Sequence, residues 1–193
     1  MSTFLVLALL AQAADPVAEG NKALDAKDYA RAVELFTQAA AADRTDYIAE
    51  FQLALTYNMM GRDVEAITHY QAVLAVNSEL REAQLNLGLS LLRARDAAGA
   101  IPYLESAAAK KSTLDAEMAL ARALSATNRL SEAETHFRKA TELDASHKED
   151  ILELADRYEQ SGKNAEAIAI YREFPNHPGA QARLGVLLSA SGQ

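Results

Sequence analysis

The chain has 193 residues, half of them hydrophobic, and a formal net charge of −8 with acids and bases interspersed. That balance excludes the basic face a nucleic-acid partner needs and the polybasic cluster that holds a protein to a membrane surface. With no Cys anywhere, disulfides, thiolate metal sites, cysteine nucleophiles and lipidated cysteine anchors are excluded as well.

The chain opens "MSTFLVLALLAQAADP". The apolar run Phe4 to Leu10 is far shorter than the ~20 residues of a membrane-spanning helix. Ala11-Gln12-Ala13 places small residues where a secretory cleavage site needs them. Residues 1–13 are therefore expected to be a signal peptide, and the protein periplasmic or secreted. No Lys or Arg precedes the run, and a frayed capping helix in a cytoplasmic protein is the alternative.

From there on few β-branched runs, eight Gly and four Pro predict helix nearly throughout, and the helices recur. Ala32, Ala66, Ala100, Ala133 and Ala167 follow one another at intervals of 34, 34, 33 and 34 residues. Four residues beyond each lies Phe36, Tyr70, Leu104, Phe137 or Tyr171, and twelve before each lies Gly20, Ala54, Gly88, Ala121 or Ala155. Spacings of three and four mark one helix face. Two such faces per period, split by "MMGRD", "RARDA", "ATNRL" or "QSGKN", predict a helical hairpin. Gly and Ala belong where two helices cross closely, with aromatic side chains filling the gaps beside them.

On these residues the sequence resembles the tetratricopeptide repeat family. The resemblance implies an all-α fold, a right-handed helical solenoid of about five helix-turn-helix repeats plus a single C-terminal helix. The repeats fall at about 14–44, 45–78, 79–111, 112–145 and 146–176, within a solenoid over 14–176. Glu19 stands where later repeats have Leu, as suits an end repeat. Pro102 is expected in the first turn of its helix, where N–H groups lack partners anyway. "FPNHPG" ends the fifth repeat. Residues 177–193 restart the first-helix pattern at Leu184-Gly185, as a half repeat that is either a cap or a place where a longer chain was cut.

Nothing in the sequence carries catalytic chemistry. His69, His136, His147 and His177 have no i, i+4 His partner and read as surface or interhelical residues. "SGKN" at 161–164 is a helix-ending turn rather than a phosphate loop. Glu132/Glu134 and Glu149/Asp150 sit where helices begin, and one or both of Met59 and Met60 are expected to fill core beside a turn, an adaptable binding patch being the alternative. No cofactor, no metal, no nucleic acid and no membrane span are expected.

The resemblance further implies a concave groove lined by the first helices and suited to a protein or peptide partner. Matching the motif carries that lining onto Asn21, Phe51, Leu55, Asn58, Leu85, Leu89, Met118, Arg122, Asp156 and Glu159, with burial between helices the equal alternative for some of Phe51, Leu55, Leu85 and Leu89. Glu149 is placed on the same face. The family's chaperone-tail clamp maps to Val17, Asn21, Gln52, Glu82 and Asn86, where only Asn21 fits. The chain thus reads as a non-catalytic interaction scaffold, with apolar anchors in repeats two and three and acidic residues in repeat five. The alternative is the N-terminal targeting arm of an enzyme continuing past Gln193. Self-association through the C-terminal half repeat is a further expectation.

Overall fold

A computed structural model describes residues 15–191, and the expected signal peptide lies outside the described residues. The described chain is helical, with no strand in it: α1 Pro16–Asp25, α2 Tyr29–Ala42, α3 Tyr47–Met59, α4 Asp63–Val76, α5 Arg81–Arg93, α6 Ala97–Lys110, α7 Leu114–Ala126, α8 Leu130–Leu143, a 3-10 helix Ala145–Ile151, α9 Leu152–Gln160, α10 Asn164–Arg172 and α11 Pro178–Ser191. The chain divides between Ala83 and Gln84, inside α5, into two compact units. The first holds the hairpins α1–α2 and α3–α4. The second holds the rest of α5 with α6, then α7–α8, α9–α10 and α11.

The periodic residues are the core. All five marker alanines, from Ala32 to Ala167, are completely buried, and Phe36, Tyr70, Leu104, Phe137 and Tyr171 nearly so. Gly20 and Gly88 stand at close crossings: a Cβ on Gly20 would lie 2.5 Å from Phe36 Cε1, and one on Gly88 would lie 2.5 Å from Leu104 Cγ. Each repeat therefore buries its hydrophobic face within its own hairpin and against its neighbours inside the unit. In the first unit Ala23, Ala32, Leu35, Phe36 and Leu53 form one such cluster.

The turns repeat as faithfully as the core. Lys27, Gly61, Arg95, Asn128 and Gly162 all have positive φ, between 58° and 73°, each at the hairpin's tip. At the first tip the N–H of Asp28 donates to the carbonyl of Ala23 and that of Lys27 to Leu24, both at 2.8 Å. The same pair of bonds recurs at the other four tips, and it is the pattern by which a left-handed residue closes a helix. Only glycine adopts that conformation without a Cβ penalty, yet three of the five tips carry a side chain. Arg95→Gly is accordingly expected to stabilise the fold by about 0.5–1 kcal/mol, read as a higher urea midpoint in circular dichroism. A lower midpoint would show that the Arg95 side chain contributes more than its backbone strain costs.

Aspartates start many of the helices. Asp28 accepts from the N–H of Arg31 at 3.1 Å, Asp46 from Ile48 at 2.9 Å and Asp96 from Gly99 at 2.8 Å, filling donors that no helical carbonyl reaches. At α11 His177 takes this role, its Nδ1 accepting from Ala180 N–H at 3.0 Å, with Pro178 following as the first helical residue.

Two expectations need correction. Helix α6 starts at Ala97, which puts Pro102 in the second turn rather than the first. Its missing N–H therefore leaves the carbonyl of Ala98 without a helical donor; both residues are exposed, so water can take that place. Met59 and Met60 are not core, being 59% and 37% exposed. Helix α11 packs on α10 with Ala180 and Leu187 buried, and Val186 faces outward at 58% exposure.

Candidate binding groove

Among the described residues no group of three or more acidic or histidine side chains could hold a metal ion. No described helix is long and apolar enough to cross a membrane. Surface shape and side-chain partnering then distinguish the candidate residues.

In the first unit the predicted lining is already committed to packing. Asn21 Oδ1 accepts from Gln52 Nε2 at 3.1 Å, tying α1 to α3. The Phe51 ring meets Tyr70 edge-on, centroids 5.7 Å apart, and Asn58 Nδ2 donates to the Tyr70 hydroxyl at 3.1 Å. Leu55 is half-buried. The apolar side chains α3 does expose are those at its two ends, Ile48 and Met59.

In the second unit the first helices converge. Leu89, Leu92 and Arg93 of α5 meet Asp115, Met118, Ala119 and Arg122 of α7 around an open depression of about 350 Å³. Met118 forms its floor, with only 6% of its surface exposed. Arg122 also borders a second depression of about 460 Å³, shared with Ser125, Ala126, Glu153 and Arg157. Across it Arg122 Nη2 donates to Glu153 Oε1 at 2.9 Å, joining α7 to α9; this carboxylate holds the guanidinium above its ordinary pKa. Leu85, half-buried, borders neither hollow.

Asp156 and Glu159 lie next to this face, but both are engaged. Asp156 Oδ1 accepts from the Tyr171 hydroxyl at 2.5 Å. Burial, reinforced by that carboxylate, pushes the phenol well above its usual range. Glu159 pairs with Arg183 of α11. Of the acidic residues expected in repeat five, Glu159 is thus paired with a cation, while Asp156 keeps its charge and accepts from a neutral phenol. Glu149 takes another place altogether. It falls in the 3-10 helix, whose tighter winding rotates it away from α9's register, and it borders a hollow of about 730 Å³ with Lys148, Phe174 and His177.

The residues that motif matching missed are arginines. Arg157 is one position beyond Asp156, and a placement by pattern fixes facing only to about a residue. The signal that could have found it is its contrast with the periodic position: Thr56, Ser90 and Ala123 occupy the equivalent place in repeats two to four, all fully buried, and a guanidinium cannot follow them inward.

The arrangement offers a hollow walled by Leu89, Leu92, Met118 and Ala119 and bordered by Arg93, Asp115 and Arg122. Known structures share this architecture. YrrB, a TPR protein with an unusual peptide-binding site, superposes with a TM-score of 0.76 at 19% identity, over 92% of this chain and 91% of YrrB. The MamA protein gives 0.75 at 19% identity over 87% and 89%. A MamA fragment from Desulfovibrio magneticus RS-1 gives 0.72 at 18% over 82% and 90%. At these identities the likeness is one of fold. The sequence itself matches the tetratricopeptide repeat model in four overlapping stretches, 17–78, 61–116, 85–148 and 118–181, and on that match the chain belongs to the tetratricopeptide repeat family.

Proposed function

We propose that this protein is an interaction scaffold that holds a peptide or helical segment of a protein partner against the first-helix face of its second unit. One observation carries the reading: Leu89 and Leu92 of α5 and Met118 of α7 surround an open hollow of about 350 Å³, large enough for one bulky side chain. An apolar hollow rimmed by polar groups is the usual form of such a site. That YrrB has a peptide-binding site supports the assignment by likeness of fold. The ten residues marked from the sequence then divide. Leu89, Met118 and Arg122 make the hollow; Asn21, Phe51, Leu55 and Asn58 brace the first unit; Asp156 and Glu159 hold α9 to α10 and α11; Leu85 supports α5.

The test is selection of a displayed random dodecapeptide library on the full chain, in parallel with Leu89→Asp. The expected result is a family of peptides with an apolar anchor whose binding falls at least tenfold on Leu89→Asp, the scale of a hot-spot residue. Peptides that bind Leu89→Asp as well as the parent, while circular dichroism shows both chains folded, would move the working surface elsewhere.

A further inference from the structure

Resting on that reading of the groove, we infer that the bound segment carries an acidic side chain close to its apolar anchor and that Arg157 receives it. Arg157 borders the depression that Arg122 joins to the apolar hollow. Its guanidinium is anchored only by neutral acceptors at long range. Nη1 donates to Gln160 Oε1 at 3.3 Å and Nη2 to the carbonyl of Ser125 at 3.4 Å. Four other arginines of this unit hold a carboxylate: Arg122 has Glu153, Arg129 has Glu132, Arg138 has Glu134 and Glu173, and Arg183 has Glu159. Glu153, the acid that shares the depression with Arg157, is the one already held by Arg122.

A half-buried guanidinium with five donors and two weak neutral acceptors is an incomplete arrangement. The Ser125 contact sets the fork beside α7, and its remaining donors are left for a carboxylate entering from solvent. The repeat pattern points the same way, since Thr56, Ser90 and Ala123 turn inward at the equivalent position whereas this repeat spends it on a cation at the groove. The protein as a whole is acidic, at −8, but charges farther off than a Debye length of about 8 Å are largely screened. Within the two hollows Asp115 and Glu153 stand beside Arg93, Arg122 and Arg157, and because Glu153 is held by Arg122, Arg157 decides the sign where it stands.

The probe is the same dodecapeptide library, selected on the full chain and on its Arg157→Gln and Arg157→Glu forms. Expected are Leu89-dependent peptides enriched in Asp or Glu beside the anchor, weakened about tenfold by Arg157→Gln, the scale of a charge-assisted hydrogen bond. Arg157→Glu should select Lys or Arg at the same peptide position. Replacing the selected Asp or Glu by Asn or Gln, measured on the unaltered chain, reads the same contact without disturbing the fold. Leu89-dependent peptides with no acidic preference, or with affinities that neither change moves, overturn this inference and leave the groove assignment standing. Peptides indifferent to Leu89→Asp overturn both.

Discussion

Gly88→Val is expected to cost about 3 kcal/mol or more, visible as a large fall in the urea midpoint of the full chain. The reason is local and steric. A Cβ at Gly88 would sit 2.5 Å from both Cγ and Cδ2 of Leu104, and Leu104 is completely buried, so neither the isobutyl group nor α6 can step aside without unpacking the hairpin. Adding Leu104→Ala to Gly88→Val should recover part of the loss, because the pair are in contact and their effects must couple. The same kind of substitution at the equivalent position of α11 should act in the opposite direction. A Cβ on Gly185 meets nothing within 4 Å, so Gly185→Ala should raise stability by up to about 1 kcal/mol through helix propensity alone. Equal losses at the two positions would mean that backbone conformation, not the crossing, is what these glycines serve.

The contrast between those glycines shows what the sequence makes legible. The 34-residue period alone places Gly20 and Gly88 opposite Phe36 and Leu104, because close crossings admit few residue types and the pattern repeats. The hairpin tips are half legible. Gly61 and Gly162 announce a left-handed residue, whereas Lys27, Arg95 and Asn128 adopt the same φ because the closing hydrogen bonds impose it. The groove is less legible again. Which of Asp156 and Arg157 faces the depression depends on a rotation of a single residue, and the 3-10 helix Ala145–Ile151 alters that rotation just upstream. Nor does the pattern reveal partnering: Glu159 and Arg183 lie 24 residues apart, and only the packing of α11 on α10 brings that arginine to α9.

Glu117→Ala is expected to cost about 3 kcal/mol, several times the loss from Glu50→Ala, although the two glutamates occupy equivalent places. Each lies 19 residues before a histidine on the second helix of its own hairpin, with Glu50 Oε2 2.7 Å from His69 Nδ1 and Glu117 Oε2 2.6 Å from His136 Nδ1. They differ in burial. The side chain of Glu50 retains 24% of its exposure and that of Glu117 only 2%. Glu117 also accepts from the Ser112 hydroxyl at 2.5 Å, so its removal takes away two hydrogen bonds to a carboxylate shielded from water, each worth about 1.5–3 kcal/mol, and leaves a gap where its buried side chain packed. At Glu50 solvent replaces the lost partner, and about 1 kcal/mol or less should disappear, as for exposed pairs generally. Glu117→Gln, which keeps the shape and one acceptor, should lie between. Urea denaturation of the three variants at one pH orders them. If Glu50→Ala and Glu117→Ala cost the same, the histidine contact itself sets the energy and burial does not, and the strut would be equally replaceable in both repeats.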